Sequence, residues 1–116
     1  MSTTEATIYH NSRCSTSRKT LDLLREQGIE PTVVEYLKTP LTRPQLQALI
    51  AASGLTVREA MRSKEAIYAQ LQLDAANDEA LLNAMVAHPV LLNRPFVTTP
   101  KGTRLARPVE KVLEIL

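Results

Sequence analysis

The chain carries a single thiol, Cys14, in the segment His10-Asn11-Ser12-Arg13-Cys14-Ser15-Thr16-Ser17-Arg18. A thiolate, not a thiol, is the nucleophile, and a free cysteine with a pKa of about 8.5 is only about 3% ionised at neutral pH. The segment lies between a β-rich run and a helical one, which would set Cys14 at a helix start. There, unsatisfied backbone N–H groups and the positive end of the helix dipole favour a thiolate. The same N–H groups bind tetrahedral oxyanions. One loop can therefore hold an anion and activate the group that attacks it, with His10, Arg13 and Arg18 adding positive potential. The competing reading is a buried, inert cysteine, the commoner fate of the residue. Arg13, Ser15 and Ser17 make the surroundings polar and argue against it.

The neighbouring positions narrow the chemistry. Ser17 stands where a Cys-x-x-Cys pair would have its second thiol, so the loop holds no resolving cysteine. A phosphatase-type Cys-x5-Arg loop needs arginine where Thr20 stands. One cysteine and two histidines do not furnish the usual four ligands of zinc, so no metal is expected. Complementary cations for an oxyanion would have to come from arginines, whose planar fork of donors suits such a ligand. Arg94-Pro95 precedes a predicted strand, Arg107-Pro108 precedes the last predicted helix, and Arg62 ends a short helix. Type and position alone do not distinguish any of the three from a solvated surface charge.

The elements that must position these groups follow from the pattern. Thr7-Ile8-Tyr9 reads as a strand, and a helix runs from the Ser/Thr cluster after Cys14 to about Gln27, with Gly28 as its stop and that cluster as its N-cap source. Leu21, Leu23 and Leu24 give it a modest apolar stripe. Residues 32–36 read as a second strand, and strand, helix and strand with short connections favour a parallel pair. A helical block follows. Thr42 and Gln45 form a capping box with Leu41 and Leu46 as its staple, and Leu46, Leu49 and Ile50 form one face that ends at Gly54. Thr56 and Glu59 repeat the box, another helix is expected over residues 64–71, and Asn77 caps one holding Leu81, Leu82, Met85 and Val86. The chain then returns to β: residues 96–99 and 103–106 read as a hairpin. Pro108 opens a last helix, with Val109, Val112, Leu113 and Leu116 as its buried face. The expected fold class is α/β, organised as a tail over residues 1–6 and a single domain over 7–116.

Composition excludes several function classes. The 116 residues carry 14 basic and 12 acidic side chains, and the resulting net charge of +2 has no basic block of the kind a nucleic-acid binder shows. Residues 1–7 do not resemble a signal peptide, and no apolar run approaches the roughly 20 residues of a membrane helix. With one unpaired cysteine, these features imply a cytoplasmic protein without membrane attachment. Aromatic residues make up only 3%, so the core must be built from aliphatic side chains.

Segment His10–Arg18 resembles the active-site loop of the glutaredoxin-coupled, glutathione-dependent arsenate reductase family. Leu92-Asn93-Arg94-Pro95 and Gly102-Thr103-Arg104-Leu105-Ala106-Arg107-Pro108 resemble two further landmarks of that family, and Val57-Arg58-Glu59-Ala60-Met61-Arg62 resembles the helix carrying its third arginine. The likeness runs from about Thr7 to Leu116. It implies a thioredoxin-like three-layer fold with a mixed sheet and a helical insertion. It also implies Cys14 as nucleophile, Arg62, Arg94 and Arg107 as an oxyanion clamp, His10, Asn11 and Ser17 as accessory groups, and Pro95 at a cis-proline position. Two positions depart from the family pattern: Ser12 stands where many relatives have proline, and Ala106 where some have a second cysteine.

The activity implied is reduction of arsenate to arsenite through a Cys14 thiol-arsenate. Glutathione acts as co-substrate, glutaredoxin as partner, and no cofactor is bound. Three other readings compete with it. One is a regulatory or binding module of the same fold that touches RNA polymerase or another partner; another is a glutathione-dependent thiol transferase acting on protein mixed disulfides; the last is a stable domain with an inert cysteine.

Overall fold

A computed structural model describes residues 5–116. The chain divides into two compact units, one formed by the residues up to Thr39 together with Arg94–Leu116, the other by Pro40–Asn93. The second corresponds to the helical block expected between the two β-containing ends. Residues 1–4 of the expected tail lie outside the described residues. Ala6 is already part of the packed core, and its carbonyl accepts a 2.8 Å hydrogen bond from Thr32 N.

The first unit holds strands β1 (Thr7–Tyr9), β2 (Thr32–Val34), β3 (Phe96–Thr99) and β4 (Gly102–Leu105) and helix α1 (Ser15–Glu26). The sheet order is β2-β1-β3-β4. β1 runs parallel to β2, as the short strand–helix–strand pattern requires, and antiparallel to β3, which pairs in turn with β4 as a hairpin. This mixed sheet flanked by helices is the thioredoxin-like α/β fold. Burial follows strand position: Ile8 and Val97, paired across the two central strands, are fully buried, whereas Val33 on the edge strand is exposed. Leu24 of α1, Ile29 and the C-terminal side chains Val112 and Ile115 complete the same core.

Several local expectations are corrected in this unit. β2 stops at Val34 because the Glu35 carbonyl accepts from Lys38 N and Thr39 N, which turns the chain; Tyr36, counted above as strand, is buried beyond it. The buried face of α1 is Ser17, Thr20 and Leu24, with Leu21 and Leu23 only partly covered. β4 occupies Gly102–Leu105, one residue earlier than expected, in register with β3. The last helix is a 3-10 helix, Val109–Ile115. Its three-residue turn buries Val112 and Ile115 and leaves Leu113 exposed, where a 3.6-residue period would have covered Leu113 instead.

The second unit contains α2 (Arg43–Ser53), α3 (Ala66–Gln70) and α4 (Asp78–Ala87). Thr42 and Gln45 form both bonds of the capping box, and Gly54 ends α2 at φ 77°. Leu46, Leu49 and Ile50 are buried as one face, and α2 packs on α4, which is capped by Asn77. Thr56 and Glu59 also make the reciprocal cap bonds, but on a turn rather than a helix. Residues 60–62 are tied to residues 91–93 by Arg62 N to Leu91 O and Asn93 N to Ala60 O, both 2.8 Å, around the Met61–Leu92 bridge. Among the described residues no helix is long and apolar enough to cross a membrane.

Candidate functional site

Cys14 is itself the N-cap of α1, with φ −95° and ψ 122° and no side-chain cap bond. The Ser/Thr cluster expected to cap the helix lies inside it. Cys14 therefore occupies the position where a serine or aspartate would normally receive the first-turn N–H groups. The loop that delivers it is tightly bonded. β1 and β2 continue into the bond from His10 N to Val34 O, 2.8 Å, and Asn11 O then accepts from Cys14 N at 3.0 Å. Asn11 Oδ1 accepts from Arg13 N at 2.9 Å, an Asx turn that bends the chain just before the thiol. Arg18 reaches back across the first turn, its Nη1 donating to Ser12 O at 2.7 Å.

Beneath the loop lies a buried polar pair. Ser17 Oγ is 2.6 Å from His10 Nδ1 and accepts from Asn11 N at 3.0 Å. His10, Asn11 and Ser17 are 7%, 4% and 0% exposed, so these bonds replace water that cannot reach them. Burial, outweighing the neighbouring Glu35 carboxylate, holds the His10 imidazole below its ordinary pKa; Arg18 and Arg25 push it the same way. His10 is therefore neutral near pH 7 and does not supply the positive potential expected of it.

Two arginines meet the thiol. Arg107 Nη1 lies 3.9 Å from Cys14 Sγ and donates to Arg94 O at 2.9 Å, so the second bond fixes the guanidinium that faces the sulfur. Arg94 is 7% exposed and Cys14 is half-buried. The Arg94–Pro95 and Arg107–Pro108 peptide bonds are both cis. Burial pushes the Cys14 thiol up. The backbone N–H groups of Ser17 and Thr16, together with the Arg107 and Arg94 side chains, outweigh it and hold the pKa below its ordinary value. Arg18 ties the loop with its side chain instead, and Arg13 does so through its backbone N–H alone.

Arg62 belongs to the second unit. It is half-buried there, with Nε 3.4 Å from Glu65 Oε1. The neighbouring Arg58 is tied down internally, to Tyr68 Oη and to the Leu73 and Ala76 carbonyls. No cluster of three or more metal-ligating side chains occurs among the described residues.

Two participants were not read from the sequence. Thr16 contributes its backbone N–H, which carries no residue-type signal. Glu35 is brought beside His10 by the parallel pairing of β1 with β2, a consequence of topology that only the predicted strand–helix–strand pattern hinted at.

Known proteins resemble the chain along nearly its whole length. It is 60% identical to a protein named arsenate reductase from Rhizobium meliloti (strain 1021) over 112 residues, which are 95% of this chain and 80% of that one. It is 52% identical to one of the same name from Escherichia coli (strain K12), covering 95% and 79% of the two chains. The solved structure of an arsenate reductase from Vibrio cholerae superposes with a TM-score of 0.94 at 45% identity, over 99% of this chain and all of that one. The family model described as ArsC matches residues 9–115, and the chain belongs to the ArsC family.

Proposed function

We propose that the protein is an arsenate reductase in which Cys14 is the nucleophile and glutathione and glutaredoxin supply the electrons. The observation that carries this reading is the uncapped start of α1: the Thr16 and Ser17 N–H groups and the Arg107 and Arg94 side chains converge on one sulfur. That set favours an anion twice over, first as thiolate and then as bound oxyanion. The names of the 50–60% identical relatives point to arsenate as the anion.

In the first step the Cys14 thiolate attacks arsenic, and an arsenate oxygen leaves as water, giving a Cys14–S–As(V) adduct. Arg94 and Arg107 neutralise the charge on the arsenate oxygens. The part given to Arg62, a third contribution to arsenate affinity, rests on the family resemblance. Ser17 and His10 hold the loop from below, with Asn11 as its bend. Cys14 has no partner thiol in the chain, so the second step takes an external one. Glutathione sulfur attacks Cys14 Sγ, an S–S bond forms and the S–As bond breaks. Its electron pair stays on arsenic, which leaves as arsenite with the thiol proton. Glutaredoxin then removes glutathione from Cys14 by thiol exchange. No bound cofactor enters the scheme, and a cytoplasmic setting, where glutathione is reduced, suits it.

The test is a coupled assay following NADPH oxidation with arsenate, glutathione, glutaredoxin and glutathione reductase. Arsenate-dependent turnover that needs both glutathione and glutaredoxin is expected. Deglutathionylation of protein mixed disulfides without arsenate turnover would replace this reading with thiol transfer.

A further inference from the structure

A cavity of about 290 Å³ opens in the first unit beside the Cys14 loop, walled by residues 10–13 on one side and by Glu35, Leu37 and Lys38 on the other. It is near the lower bound of small-molecule sites. Its charged groups are Arg13, Lys38 and Glu35, two cations and one carboxylate, while the buried imidazole of His10 is neutral. Leu37, 40% exposed, adds an apolar wall. The Lys38 ammonium is 3.5 Å from Glu35, an open surface pair that a ligand can displace at little cost.

The charge pattern is the complement of glutathione, which has a carboxylate at each end, an ammonium beside one of them and a thiol on its middle residue. An extended tripeptide spans about 10 Å, and Arg13 adjoins Cys14 in the chain, so their Cα atoms are about 3.8 Å apart. A tripeptide seated by its ends against Arg13 and Lys38 lies along the loop whose next residue is Cys14. We propose that this cavity is the glutathione subsite, with Arg13 and Lys38 holding the two carboxylates and Glu35 the ammonium; this rests on the arsenate-reductase reading above. The subsite positions the thiol whose attack on Cys14 Sγ was balanced in that reading, and it adds no further reactant.

Two measurements on the full chain test it. In the first, S-methylglutathione, which cannot react, is titrated while backbone amides are followed by NMR. Shifts confined to residues 10–13 and 35–38, lost in the Arg13→Ala/Lys38→Ala double variant, are expected. In the second, Arg13→Ala and Lys38→Ala should each raise the KM for glutathione by about three- to tenfold, with Glu35→Gln giving a smaller rise. The KM for arsenate and the rate of Cys14 alkylation by uncharged iodoacetamide should stay unchanged in all three. An unchanged glutathione KM in the double variant overturns the proposal. So does a rise in the KM for glutaredoxin alone, which would make this face the protein-docking surface, or a parallel loss of iodoacetamide reactivity, which would make the residues structural. Wild-type protein that binds S-methylglutathione here but reduces no arsenate would instead overturn the arsenate reading and leave the subsite standing.

Discussion

The starts of α1 and α2 solve the same problem in opposite ways. Each helix begins with backbone N–H groups that have no partner within the helix. At α2, Thr42 Oγ1 accepts from Gln45 N and Gln45 Oε1 accepts in turn from Thr42 N, so the donors are consumed by the chain itself. At α4, Asn77 does the same for Ala80 N. At α1 the N-cap is Cys14 and no side-chain oxygen caps the turn. Its Thr16 and Ser17 donors point instead at a sulfur, where they lower the pKa against the effect of burial. A closed helix start stabilises, whereas an open one is left available to an anion. The difference lies in one atom at the N-cap, and it sets the scaffold apart from the candidate site.

Replacing that atom is the sharpest way to break the contrast. In Cys14→Ser the hydroxyl becomes an ordinary N-cap, so arsenate reduction should be abolished while thermal stability holds or rises, by up to about 1 kcal/mol. Turnover by a folded Cys14→Ser protein would remove Cys14 from the mechanism. Next in size are Arg94→Ala and Arg107→Ala. Each should weaken arsenate or sulfate binding by about ten- to a hundredfold, since a charge-assisted bond is worth about 1.5–3 kcal/mol. Both substitutions should also move the pH midpoint of Cys14 alkylation upward, because the lost cation favoured the thiolate. Arg25, whose side chain pairs with Glu30 at the surface, serves as the control: Arg25→Ala should change neither quantity. A midpoint at or above that of a free thiol, unmoved by either arginine, would show that α1 opens onto nothing.

The contrast was only half legible in the amino-acid sequence. Cap chemistry at Thr42–Gln45 and Asn77 is written in residue types at fixed offsets, and both helices start where those types place them. Cys14 could be placed near a helix start, but the Ser/Thr cluster behind it looked like the better cap. The choice between them depends on the Asx turn made by the Asn11 side chain and on the backbone bond from Cys14 N to Asn11 O, which together set where the first helical turn begins. Gly28 and Gly54 end their helices as expected, since each adopts the positive φ that favours glycine. The C-terminal helix was misread because periodicity assumes 3.6 residues per turn, and a 3-10 segment buries Val112 and Ile115 instead. The meeting of Arg107 with Cys14 joins residues 93 positions apart, and no local pattern encodes it. It was accessible only through family resemblance.

A subtler way to disturb α1 is from below. Ser17→Ala keeps the backbone N–H that faces the sulfur but leaves Asn11 N and His10 Nδ1 without their buried partner, which should cost about 1–3 kcal/mol in denaturant unfolding. The same pair sets a pH dependence. Because burial lowers the folded His10 pKa, the imidazole takes up a proton more readily in the unfolded chain. Its contribution to stability is present above the unfolded value of about 6.5 and is lost as pH falls through that value toward the folded pKa. Unfolding measured from pH 7.5 to 5 should show this decline, and a His10→Gln variant should flatten it. An equally steep decline in His10→Gln would assign the acid sensitivity to the carboxylates.

The smallest expected effect closes the comparison from the α2 side. Thr42→Ala removes the hydroxyl that accepts from Gln45 N, one of the two bonds of the box, and should cost about 1 kcal/mol of stability. Because these donors serve only the helix, arsenate turnover, oxyanion affinity and the Cys14 alkylation midpoint should not change. The α1 counterpart should behave the other way: Cys14→Ser is expected to keep or raise stability and to remove activity. Chemical denaturation alongside the coupled assay on both variants gives the two-by-two result that the contrast requires. If Thr42→Ala also lowered turnover in proportion to its stability loss at assay temperature, closed and open helix starts would not be separable functions in this molecule.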